Sequence, residues 1–261
     1  MKPLFPYWGG KQAVSEIIVP MIPKHSVYVE PFAGSAAVFF RKPQIQNEVL
    51  CDLSYDVINF FKCSKFYFTE LCCLAINMNY SNVAFDKCRK FLEKPINADC
   101  VNIRRAAAYW YCQVTSYNAM GTKGTVAAYS THKKTESLAN KKKLFSHEYS
   151  MRLQNTKLIC ANAVDVILAY DSPGTFFYLD PPYFNAEQAY ANNYEHSDYL
   201  ELLSCISNLR GKFILSGYPS HILYNYTKLF KWKTSKHELY LSSGSGVGRI
   251  RNKVEELTRN Y

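Results

Sequence analysis

The sequence predicts an α/β fold: an open sheet with helices on both faces, interrupted by an inserted, mainly helical module. Three observations carry that expectation. Short apolar runs ending in small or acidic residues alternate with helical stretches at both ends of the chain. The alternation lapses between about Cys63 and Tyr149, where helical segments follow one another and lysines gather. The apolar run Thr175 to Leu179 stops at Asp180-Pro181-Pro182-Tyr183, and proline cannot donate to a sheet ladder. That tetrapeptide is expected to be a stiff loop at a strand's carboxyl end, the edge where open α/β sheets bind ligands. The expected division is a discontinuous domain of residues 1–62 and 157–261 around an insert of residues 63–156.

In chain order, Tyr7-Trp8-Gly9-Gly10-Lys11 opens as a glycine loop whose backbone can approach a ligand closely. A helix is expected from about Ser15, ending before Pro20 or Pro23. Ser26 to Glu30 reads as the first strand. It runs into Pro31-Phe32-Ala33-Gly34-Ser35-Ala36-Ala37 and a helix start through Arg41, the first half of a nucleotide-binding βα unit. With a single glycine, the loop suits a ligand without a pyrophosphate. A second strand, Glu48 to Cys51, ends in Asp52, about twenty residues after the loop, where an acid holds ribose hydroxyls. Asp52 also fits a helix N-cap, since Ser54 and a helical stretch to about Lys62 follow.

The insert carries helices near Phe66 to Asn77, Phe85 to Leu92 and Arg104 to Val114, then Ser116 to Gly124 and a polar basic stretch. The alternation resumes with a strand at Lys157 to Cys160 and a loop and helix from Asn162 to Tyr170. After the proline loop come a polar stretch to His196, a helix from Ser197 to Leu209, and a strand from Lys212 to Ser216. Two last strands are expected at Lys236 to Ser242 and around Val254 to Asn260.

With 31 Lys and Arg against 21 Asp and Glu, the chain carries +10 at pH 7. Such a balance points to a polyanionic partner, nucleic acid before an anionic membrane surface. No run approaches the ~18 apolar residues of a spanning helix, and Met1 to Lys11 lacks the apolar segment of a signal peptide. Nine cysteines without C-x-x-C or zinc-finger spacing argue against a metal site and for reduced, mostly buried thiols in the cytoplasm.

Taken in this order, the motifs resemble the Dam-like α group of DNA adenine-N6 methyltransferases. Tyr7 to Lys11 resembles that group's motif X, Glu30 to Ser35 its motif I, Asp52 its motif II acid and Asp180 to Tyr183 its catalytic motif IV. The resemblance covers residues 1–62 and 157–261 well and the insert thinly. It implies a Rossmann-like methyltransferase sheet, S-adenosylmethionine as cofactor (S-adenosylhomocysteine as product), and no metal. Tyr7, Trp8, Lys11, Phe32, Gly34, Asp52, Asn162 and Asp180 would hold the cofactor, with Asn162 beside its adenine. Asp180, Pro181, Pro182 and Tyr183 would be catalytic. One departure is Ala36, where many members have a second glycine.

The implied partner is double-stranded DNA, met by a monomer on the nucleoid. A separate companion endonuclease is left open. The insert would contact DNA through Tyr117, Asn118, Thr122 and Lys123, and through Lys133, Lys134, Lys141, Lys142 and Lys143 on phosphates. Dam-type enzymes carry an aromatic wedge at Tyr117 and an arginine five residues on, where this chain has Thr122, so GATC is not the expected target. The rival readings are a cytosine-N4 enzyme, in which the acid is more often serine, an RNA or protein-amide methyltransferase with Asn in place of Asp180, and a catalytically silent DNA-binding module.

Overall fold

The computed structural model describes residues 1–7, 9–97, 100–124, 131–182, 194–241 and 251–261, without the side chains of residues 118, 131–134, 239–241 and 251–253. Seven strands are described: β1 (Val27–Glu30), β2 (Asn47–Asp52), β3 (Thr156–Cys160), β4 (Thr175–Leu179), β5 (Lys212–Gly217), β6 (Lys233–Leu241) and β7 (Arg251–Arg259). They form one sheet in the order β3-β2-β1-β4-β5-β7-β6. β1 runs parallel to β2 and β4, and β4 parallel to β5, while β7 is antiparallel to β5 and β6. The helices are α1 (Ser15–Ile18), α2 (Ala37–Arg41), α3 (Tyr55–Phe66), α4 (Phe68–Ile76), α5 (Asn82–Leu92), α6 (Ile103–Thr115), α7 (Thr131–Lys142), α8 (Glu148–Leu153), α9 (Ala163–Tyr170), α10 (His196–Ser207) and α11 (His221–Phe230). This is the Rossmann-like methyltransferase architecture that the sequence predicts.

By internal contact the chain divides into two compact units. One comprises Met1–Gln12, Ala33–Gln44 and Asp52–Cys160. Its centre is α6, in which every residue from Arg105 to Thr115 is buried. A helix apolar or small on all sides has no solvent face to keep, and α3, α4 and α5 pack around it. The Asn102 side chain caps it by accepting the Arg105 N–H at 2.8 Å. The Trp110 indole N–H donates to the Leu4 carbonyl at 3.0 Å, which draws the N-terminal segment onto this core. Arg105 forks onto Asp56 of α3 at 2.6 and 3.1 Å and reaches the Leu92 and Lys94 carbonyls at the end of α5.

The second unit comprises Ala13–Phe32, Ile45–Cys51 and Ala161–Tyr261. All five residues of β4 are buried, as expected for a central parallel strand whose two faces are both covered. The Gly174 carbonyl accepts the N–H groups of Ser26 and Val27 at 2.9 and 3.2 Å and so registers β1 against β4.

Several elements differ from expectation. The helix at Ser15 lasts one turn and tightens into a 3-10 turn over Val19–Met21 that takes in Pro20. α11 is additional. No helix is expected between the strands at Lys212 and Lys236, but the Ser220 hydroxyl caps one by accepting the Leu223 N–H at 3.1 Å. The basic stretch of the insert is helical, as α7. All nine cysteines are free, yet only Cys51, Cys63 and Cys112 are buried, so the expectation of mostly buried thiols is corrected. Cys72 and Cys73 lie on α4, Cys88 on α5 and Cys205 on α10, while Cys160 ends β3 and Cys100 precedes α6.

Candidate active site

In the first unit, the loop after β1 is built on left-handed backbone. Gly34 has φ +47°, and a Cβ there would meet the Tyr7 ring at 3.0 Å. Glycine is thus needed for both conformation and space. The Gly34 N–H donates to Asp52 Oδ2 at 2.9 Å, and the Ser54 N–H to Asp52 Oδ1 at 2.9 Å. Asp52 therefore ties the glycine loop to the turn before α3, whose N-cap is Ser54 without a side-chain cap, so Asp52 is not the helix cap. Burial pushes its carboxyl up to about 6, against these two N–H groups, which favour the ionised form. Ala36, the departure from the resemblance, takes φ 54° and ψ 42°, a conformation that glycine adopts without strain.

Tyr7, Gly34 and Asp52 thus come together within one unit. Lys11 is buried there, its ammonium donating to the Gly9 carbonyl at 3.1 Å. Trp8 lies outside the described residues. Sequence reasoning missed Tyr109 of α6. The proton of its buried hydroxyl has no acceptor among the described residues, although Gln113 lies beside the oxygen as a donor. Burial, then the nearby Tyr7 and Asp52, hold that phenol well above the usual range. Within an aromatic helix nothing in the sequence marks it off from core.

The end of α6 leads into two 3-10 turns, Tyr117–Ala119 and Gly121–Lys123. The Ser116 hydroxyl accepts the Gly121 N–H at 2.9 Å, and Gly121 has φ +57°. Tyr117 is 38% exposed, and Thr122 and Lys123 are exposed beside it. The side chains of Asn118, Lys133 and Lys134 lie outside the described residues. Lys143 is exposed, whereas Lys141 and Lys142 are half-buried. Burial, then the neighbouring Lys2, lower the pKa of Lys141.

In the second unit, Asp180 follows β4 directly, half-buried, with Pro181 buried and Pro182 half-buried. Tyr183 lies outside the described residues. Tyr178, two residues before Asp180 and hence on the same strand face, is buried beside a polar group of its own unit. There the Tyr28 hydroxyl donates to Glu30 at 2.8 Å and the Ser216 hydroxyl to Glu255 at 2.5 Å. Burial, then Asp180 and Glu30, push the Tyr178 phenol well up. Phe32 is half-buried, edge-on to Tyr194 at 6.4 Å. The Asn162 side-chain oxygen accepts the Val164 N–H at 2.8 Å and caps α9. Among the described residues no group of three or more His, Cys, Asp or Glu could hold a metal.

A mainly parallel sheet whose β2 acid clasps the glycine loop, with the sequence Asp-Pro-Pro-Tyr beginning directly after the central strand, defines an amino-methyltransferase. The chain belongs to the D12 class N6 adenine-specific DNA methyltransferases, whose family model matches residues 7–243. It is 24% identical over 287 residues, covering 100% of both chains, to the type II methyltransferase M.CviBI of Paramecium bursaria Chlorella virus NC1A. It is 21% identical over 262 residues to the DNA adenine methylases of Salmonella typhi and of Salmonella typhimurium strain LT2, covering 97% of this chain and 92% of each relative. The protein is an adenine-specific DNA methyltransferase, which implies S-adenosylmethionine and a DNA substrate. The readings as a cytosine or RNA enzyme, or as a silent module, give way to this one.

Proposed function

We propose that the enzyme methylates adenine N6 within a short sequence of duplex DNA, taking the target base out of the helix. The observation that carries the reading is the Asp52 carboxylate clasped by the Gly34 and Ser54 N–H groups. Such an acid at the end of β2 suits ribose hydroxyls, and a glycine loop packed on Tyr7 leaves backbone open to a ligand without a pyrophosphate. These residues fit S-adenosylmethionine, with Tyr7, Trp8, Lys11, Phe32, Gly34, Asn162 and Asp180 completing the binding set. The cofactor supplies an electrophilic methyl group on a sulfonium.

Asp180 and the Pro181 carbonyl would accept hydrogen bonds from the adenine amine, whose lone pair is otherwise delocalised into the ring. Held this way, the nitrogen turns pyramidal and presents its lone pair for in-line attack. The nitrogen would take the methyl group as the sulfonium leaves as a thioether, and would then pass its proton to the Asp180 carboxylate and on to solvent. Tyr183 would stack on the base, returning roughly 1–3 kcal/mol of the few kcal/mol that extrusion costs. Residues 63–156 would form the target-recognition domain, with Tyr117 filling the gap left by the base.

Asp180→Ala tests the chemistry. Methyl transfer to adenine-containing duplexes should fall at least a hundredfold, with binding of duplex largely retained. Wild-type turnover by this variant would remove the central assignment.

A further inference from the structure

We infer that Tyr109, on the helix that carries the recognition turns, is a cofactor ligand, its hydroxyl donating to a ribose hydroxyl held by Asp52. The inference rests on the cofactor reading of the Asp52 cradle and adds a residue to it. Tyr109 and Gln113 lie one turn apart on one face of α6, each 7% exposed. Gln113 lies beside the Tyr109 oxygen as a donor, but the Tyr109 hydroxyl proton has no acceptor and the Gln113 side-chain carbonyl no donor among the described residues. A buried hydroxyl left unmade costs stability that phenylalanine would avoid, so its presence calls for a partner that arrives later.

The surroundings say which partner. Phe5 stands edge-on to Tyr109 at 5.5 Å and to Tyr7 at 6.4 Å. Tyr7 in turn packs on Gly34, and Gly34 donates to Asp52. The Tyr109 hydroxyl therefore belongs to the group of side chains that makes the cradle. Each ribose hydroxyl carries one proton to give and lone pairs to receive. Donating to Asp52, it is left as an acceptor, and Tyr109 offers a donor. Gln113 stands between Tyr109 and Gly121: it lies beside the Tyr109 oxygen as a donor, and its amide nitrogen is 2.7 Å from where a Cβ on Gly121 would stand. Gln113, one helical turn after Tyr109, thus adjoins the turn at Gly121 that follows Tyr117.

Calorimetric titration of the purified full chain with S-adenosylhomocysteine tests the assignment, with thermal unfolding of the ligand-free protein alongside. Tyr109→Phe should bind about tenfold more weakly, equivalent to about 1.4 kcal/mol. Its ligand-free melting temperature should be equal to the wild type's or higher. Analogues lacking the 2′ or the 3′ ribose hydroxyl then form a cycle with this variant. For one of them the removal of both hydroxyls should cost no more than the removal of either. Additive losses with both analogues, or affinity within twofold of wild type, would overturn the assignment, whatever the melting temperature does. Asp52→Asn separates the two levels. If it binds as the wild type does, the cradle itself is misassigned. If it loses affinity while Tyr109→Phe does not, only Tyr109 is.

Discussion

Burial and two N–H donors act in opposite directions on Asp52, and burial prevails, bringing its carboxyl to about 6 from the ordinary 3.8. The folded, ligand-free protein thus holds this proton more tightly than the unfolded chain. That contribution to stability is complete below about pH 4 and is lost as the pH rises through about 6. Ribose hydroxyls donate hydrogen bonds, so they favour the ionised form. Affinity for S-adenosylhomocysteine should be level above about pH 7 and fall roughly tenfold per unit below 6. Asp52→Asn should bind weakly without that slope, and calorimetry between pH 5 and 8 reads both. Ala36 carries a second local cost. A non-glycine residue in left-handed backbone costs about 1–2 kcal/mol, and the buried methyl group and a stiffer unfolded chain offset part of it. Ala36→Gly should leave the unfolding free energy unchanged or raise it by up to ~1 kcal/mol, while Ala36→Val should lower it by ~2 kcal/mol or more. Thermal unfolding distinguishes the two. The sequence shows that Ala36 departs from the resemblance, and its backbone angles show what that departure costs.

At the scale of elements, Arg105 joins three helices with one side chain. Its fork satisfies Asp56 on α3, and its remaining N–H groups satisfy carbonyls at the end of α5. Removing it leaves an acid and two carbonyls short of partners, and breaking a buried pair this way costs about 3–5 kcal/mol. Arg105→Met should show a loss of that order in urea unfolding. Arg105→Lys should recover little, since an ammonium cannot make the fork. The parallel strands were legible because a strand buried on both faces reads as an unbroken apolar run, as Thr175 to Leu179 does. β6 was less so, because charged Lys233, Lys236 and Glu238 stand along it and hide its start. The length of α6 was legible, but not the reach of Tyr109. An aromatic side chain in an aromatic helix reads as core until its hydroxyl is located.

For the molecule as a whole, the charge of +10 is spread unevenly in its availability to DNA. Lys123 and Lys143 are exposed, while Lys141 is half-buried near Lys2. Replacing either exposed lysine by Ala should reduce the slope of log affinity against log salt by about 0.9, equally on all duplex sequences. Lys141→Ala should change it less. Fluorescence anisotropy on an unrelated duplex measures this, and a uniform effect of all three would refute the distinction. With Thr122 where Dam-type enzymes carry arginine, GATC should not be the methylated site, as sequencing DNA from an expressing host will show. Motif order and spacing made the family legible without coordinates. Which lysines face solvent was not, since a run such as Lys141 to Lys143 has no periodicity that separates them.

The pairing of β1 with β4 has a consequence for how the enzyme comes into being. Ser26 and Gly174 meet across 148 residues of chain, and β5 then takes β7 as its other neighbour. Contacts so distant in sequence must meet the entropy of closing a long loop before they return any stability, which slows folding. The strand that carries Asp180 has β1 from near the chain's start on one side and β5 on the other. On the ribosome, a chain not yet synthesised through Gly217 has no finished sheet around that strand, and activity should appear only after its translation. Refolding from urea should likewise regain helical signal earlier than methyl transfer.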